Sequence, residues 1–95
     1  MIKCNSIDEV RNNINNIDEQ IVKLIAQRSE FVKQAAKFKK DSDDVKAPER
    51  VEEVINKVKD LAKSTSANEE VLENVYRTMI NSFIKAEMKE FEKLK

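Results

Sequence analysis

Five charged residues stand where a helical chain gains little from placing charge, and together they suggest a chemistry. Arg28 interrupts the apolar repeat Val10, Ile14, Ile17, Ile21, Leu24, Arg28, Phe31, Ala35, Phe38, whose steps of four and three call for Leu or Ile. A guanidinium there needs an anionic partner, from protein or ligand, or carries a heavy desolvation cost. Lys39 follows eleven residues on. On one continuous helix that is about three turns, or ~16 Å, so both cations project from the same side with Val32 and Ala35 between them. Snorkelling of both toward water is the competing reading. Arg50 falls in the first turn of a second helix, where the dipole disfavours a cation, and Glu49 or Glu53 could pair with it. Glu87 lies one turn beyond Phe83 and two beyond Ile80, inside an apolar stripe. Burial favours its protonated form, and a neutral carboxyl can donate to an oxygen that gains negative charge. An ion pair with a seam cation is the equal alternative. Arg11, beside Val10, can reach across to another chain or pair with Asp8 or Asp18. The set holds several cations and one acid with a case for burial, and offers no obvious nucleophile.

Composition narrows what such residues can serve. Lys plus Arg and Asp plus Glu balance at 18 each, so no basic excess drives binding to nucleic acid or to an anionic membrane. The chain has no histidine, which removes the usual zinc and haem ligand sets and any His-based triad. It has no glycine, hence no glycine-rich phosphate loop, and Cys4 alone cannot form an internal disulfide. No metal and no ATP or NAD cofactor is expected. No apolar run approaches the ~20 residues of a membrane span, and the N-terminus lacks the apolar core of a signal peptide, so the expected location is the cytoplasm.

The elements that must position these residues read as three helices in one domain over residues 1–95, an all-α fold. Ser6-Ile7-Asp8-Glu9 is a capping-box pattern that starts a first helix near Ile7 and lets it run about 34 residues, with no Pro until Pro48. Asp41-Ser42-Asp43-Asp44 ends it as a turn, and Pro48 opens a second helix to Lys63 with Val51, Val54, Ile55, Val58, Leu61 and Ala62 on one stripe. Ser66 and Glu69 offer another capping box for a third helix carrying Leu72, Val75, Tyr76, Met79, Ile80, Phe83, Ile84, Met88 and Phe91. A first helix of ~50 Å exceeds the ~33 Å breadth of a compact globule of this length. One copy cannot cover its seam, so the expected assembly is an intertwined homodimer in which two long helices pair about a twofold axis. A helical dimerisation module, with the charged residues setting register, is the non-enzymatic alternative.

The chain resembles the AroQ-type chorismate mutase family, including its isochorismate-pyruvate lyase branch. The resemblance rests on Val10-Arg11, Ile17-Asp18-Glu19, Leu24 through Arg28, Ala35-Ala36-Lys37-Phe38-Lys39, Ala47-Pro48-Glu49-Arg50-Val51 and the tail from Ile84 to Met88. It implies an all-helical homodimer with two active sites, each taking one arginine, matched by Arg11, from the neighbouring subunit. Arg28, Lys39 and Arg50 match the family's cations from the main subunit, and Glu87 matches a position held by Gln or Glu. The implied reaction is the pericyclic conversion of chorismate to prephenate, which needs no cofactor. Arg11 and Arg28 would hold the substrate's two carboxylates, Lys39 and protonated Glu87 would meet its ether oxygen, and Arg50 would support the pocket. Many family mutases carry Glu directly after the arginine matching Arg50, a residue that helps recognise the ring hydroxyl. Here that residue is Val51, as in the lyase branch, and Phe83 replaces a small polar residue found in some mutases.

Overall fold

The computed structural model describes residues 2–93, and among them all regular structure is helical. There are three long helices, α1 (Ile7–Ala36), α3 (Pro48–Ser64) and α4 (Glu69–Lys93), with a one-turn helix α2 (Ser42–Lys46) between α1 and α3 in the chain. No helix among the described residues is long and apolar enough to cross a membrane. Contacts divide the chain into a first unit ending at Gln34 and a second beginning at Ala35.

In the first unit, the start of α1 follows the capping pattern with one shift. The Glu9 N–H donates to Ser6 Oγ at 3.1 Å, but the Glu9 carboxylate accepts from the Asn5 N–H at 2.8 Å, one residue beyond the expected Ser6. Asn13 donates to Cys4 Sγ at 3.3 Å, which ties the N-terminal segment to the helix. The repeat is present along α1, yet no residue of this helix is buried: Ile17, Leu24 and Phe31 are 55%, 61% and 70% exposed.

The helix ends sooner than its apolar pattern. It stops at Ala36 after 30 residues, and the amides of Phe38 and Lys39 turn back to the carbonyls of Ala35 and Ala36. A continuing helix would aim the Lys40 N–H at Ala36. Asp44 Oδ2 takes that N–H instead, at 2.9 Å, a local side-chain bond in place of the helical one. The expectation that Lys39 extends the Arg28 face by three turns is therefore wrong. The polar stretch read as a plain turn is α2, capped by Asp41, whose Oδ1 accepts from the Asp44 N–H at 2.9 Å.

In the second unit, α3 and α2 both pack on α4, around the buried residues Val45, Ile55, Val58, Ala62 and Ile80. With no glycine in the chain, the tight connections fall to other residues. Ala47 sits at φ 37°, ψ 60° between α2 and α3. Ser66 takes φ 58° after α3, where the Ala67 N–H reaches the Ala62 carbonyl and the Ser66 N–H reaches the Lys63 carbonyl, the paired bonds of a Schellman end. Ser66 thus ends α3 and does not cap α4. The cap of α4 is Asn68, whose Oδ1 accepts from the Val71 N–H at 3.0 Å. Because a left-handed L-residue costs about 1–2 kcal/mol and glycine returns up to about 1 of that as chain entropy, Ala47→Gly is expected to stabilise by about 0.5–1 kcal/mol. Urea midpoints at unchanged slope measure this, and a lower midpoint would contradict the strain.

The outer edge of the α3/α4 pair is clamped by charge. Arg77 holds both carboxylate oxygens of Glu52 at 2.8 and 3.0 Å and donates through Nε to Glu73 at 2.8 Å, while Lys59 reaches Glu73 at 3.3 Å. The Arg77 hydrogen bonds hold both carboxyls below the usual range, and those of Glu52 first and Glu73 next raise the guanidinium. Only the Glu73–Arg77 spacing of four was visible in the sequence.

Candidate functional site

The second unit brings two of the five singled-out residues into electrostatic contact. Glu87 projects from the apolar side of α4, with its Oε1 buried and without a hydrogen-bond partner. Burial pushes its carboxyl above the ordinary 4.5, and the nearby Lys39 ammonium opposes that shift without cancelling it. When protonated, such a carboxyl and the nearby cation can act as a pair of donors. Such a pair suits an oxygen on which negative charge grows.

Lys39, although past the end of α1, is not loose. Its half-buried side chain donates from Nζ to the Asp44 backbone carbonyl at 2.8 Å. Sequence reasoning missed Asp44. The signal was present in Asp41-x-x-Asp44, a capping pattern read only as a turn.

Arg50 stands apart from that pair. It lies in the first turn of α3, largely exposed, and bonds Glu53 at 3.1 Å, one of the two carboxylates the sequence offered. A shallow surface depression beside it is lined by Asp43, Asp44, Glu49, Arg50 and Glu53, with Ala47 and Pro48. Four carboxylates against one cation repel an anionic ligand, so this depression is a poor site for a dicarboxylate.

The first unit carries the other two. Arg28 is half-buried on α1 and Arg11 is exposed. Among the described residues neither makes an ion pair, so the surface bridges from Arg11 to Asp8 or Asp18 are not formed. No group of acidic, cysteine or histidine side chains among the described residues could hold a metal ion.

Among the described residues, a carboxyl whose protonated form burial favours thus lies near Lys39, and Arg11 and Arg28 on the long helix make no ion pair. A family model described as chorismate mutase type II matches residues 10–88. The chain belongs to that family, as its AroQ-type features led us to expect. Among curated proteins, the isochorismate pyruvate lyase of Pseudomonas aeruginosa is similar, with 27% identity over 86 residues, covering 90% of this chain and 85% of that protein.

Proposed function

We propose that this protein is a chorismate mutase, rearranging chorismate to prephenate for aromatic amino-acid biosynthesis, and that it works as a cytoplasmic homodimer. The observation that carries this reading is the Glu87–Lys39 pair within a chain of this family. The rearrangement breaks an ether C–O bond as a C–C bond forms, with charge growing on the ether oxygen. It needs a folded substrate and donors at that oxygen, and no electron carrier. Arg28 and Arg11 of the partner subunit bind the two carboxylates and hold the compact reactive shape, which removes orientational entropy from the barrier. Lys39 and protonated Glu87 then donate to the ether oxygen, and interactions that strengthen as charge develops lower the barrier. Arg50 supports a carboxylate or the pocket wall once Glu53 releases it.

The dimer has support in the uncovered repeat of α1. A row along α1 from Ile7 to Phe31, at 60% and 70% exposure at its ends, is far more apolar surface than isolated surface residues account for. A twofold copy of the same helix covers it with the same residues.

A second reading, isochorismate-pyruvate lyase, is favoured by Val51 and by the similarity to the Pseudomonas aeruginosa protein. The two substrates differ in the position of the ring hydroxyl. Offering the purified protein each substrate and following prephenate, salicylate and pyruvate separates the readings. Prephenate as the main product is expected; salicylate and pyruvate from isochorismate would move the assignment to the lyase, and no turnover of either would discard both.

Glu87 makes the pH profile diagnostic. Its folded pKa is raised, so the donating form is complete below the ordinary 4.5 and is lost as pH rises through the folded value. The rate constant kcat should fall across that window. Glu87→Gln donates at every pH and flattens the fall. Stability follows the same sign, because the carboxyl is most favourable to folding when neutral and loses that advantage as it ionises. An unchanged pH–rate slope in Glu87→Gln would remove the proton from the mechanism.

A further inference from the structure

The bonds around α2 form a chain that ends on Lys39. Asp41 Oδ1 accepts from the Asp44 N–H at 2.9 Å, and Asp44 Oδ2 accepts from the Lys40 N–H at 2.9 Å. These two bonds lock residues 40–44 into one conformation. The Asp44 carbonyl is then left with a free lone pair for a reason written in the sequence. Its helical partner four residues on would be the amide of residue 48, and Pro48 has no N–H. The Ala47 amide goes to the Asp43 carbonyl at 2.9 Å. Lys39 Nζ fills the vacancy at 2.8 Å. An ammonium has three donors, so one is anchored and two remain for a ligand.

From this geometry we infer that Asp41 is a positioning residue for Lys39, acting through the Asp44 carbonyl that Pro48 leaves unclaimed. The inference rests on the role given to Lys39 under the proposed function. A flexible four-carbon side chain carries about 2 kcal/mol of rotamer entropy, and an anchor that spends one donor removes much of that freedom before substrate arrives. The anchoring oxygen belongs to the backbone, so its placement depends on whatever fixes the local fold. Asp41 fixes it as the N-cap of α2.

The test is the rate at which each lysine of the intact folded protein is reductively methylated, read by mass spectrometry, with the exposed Lys57 and Lys85 as internal references. Asp41→Ala is expected to raise the Lys39 rate several-fold against both references, and Asp41→Asn, which still caps, to restore it. Pro48→Ala supplies a competing N–H for the same carbonyl and should release Lys39 as well, which keeps the test open if Asp41→Ala folds poorly. On whichever substrate the natural protein turns over, Asp41→Ala should lower kcat by roughly 10-fold with little change in KM, as expected of lost orientation. An unchanged Lys39 rate in both variants would overturn the inference, and so would a released Lys39 with unchanged kcat. If Lys39 responds while neither chorismate nor isochorismate is turned over, the anchoring stands and the proposed function falls.

Discussion

Lys39→Ala is expected to lower kcat on chorismate by about 10²–10³-fold, the cost of removing one preorganised donor from a developing oxyanion. The fall should appear in kcat more than in KM, because the ether oxygen carries little charge in the bound substrate and much more in the transition state. Glu87 remains as a second donor in this variant, but without the opposing cation its carboxyl rises further. The acid limb of the pH profile should therefore extend to higher pH in Lys39→Ala. A loss below about tenfold, with an unmoved profile, would mean that Lys39 does not face the reacting oxygen.

Arg28→Ala is expected to cost about 10²–10³-fold in kcat/KM while leaving the fold almost untouched. The activity loss reflects an unpaired substrate carboxylate in the site, about 3–4 kcal/mol, at the lower end of what deleting one partner of a buried pair costs. The small stability effect has a different source. Arg28 is half-buried, and among the described residues it forms no ion pair that the substitution would break. A change in urea midpoint too small to account for the activity loss, alongside that loss, is the expected combination. Unchanged activity with a weakened dimer would favour the helical module, in which Arg28 sets register only.

How much of this was legible in the residues depends on the range of the interaction that decides each element. The α3 stripe was readable because Ile55, Val58 and Ala62 recur at steps of three and four and are buried, and Ile80 of the α4 stripe is buried as well. Pro48 announced the start of α3 through its missing N–H. The end of α1 was not readable from periodicity. The repeat continues through Phe38, but the helix ends at Ala36, the Phe38 and Lys39 amides bond three residues back, and Asp44 takes the Lys40 amide. Short side-chain bonds of this kind leave little mark on an apolar pattern. Ser66 misled for a related reason: a hydroxyl three residues before Glu69 looks like a cap, but in a chain without glycine the left-handed position after α3 fell to it.

The site shows the same division. Glu87 stood out because a carboxylate in an apolar stripe violates the pattern, and its buried, unpartnered oxygen agrees with that reading. Arg50 stood out as a cation at a helix N-terminus, and the bond to Glu53 gives it an ordinary surface role in the free chain. Lys39 was singled out on a helical face it does not occupy, and its placement depends on Asp41 and Pro48. Periodicity alone could not show that placement, because it assumes a helix that ends before Lys39.

The central claim, that each active site is completed by an arginine of the other subunit, is tested most directly by mixing two inactive variants. Arg11→Ala and Arg28→Ala are prepared separately and then refolded together in equal amounts, and the rate on chorismate is compared with that of each variant alone. With random assortment, half the dimers are mixed and each mixed dimer holds one intact site, so recovery of about a quarter of the natural activity is predicted. A mixture no more active than its components, while mixed dimers form, would contradict the shared site.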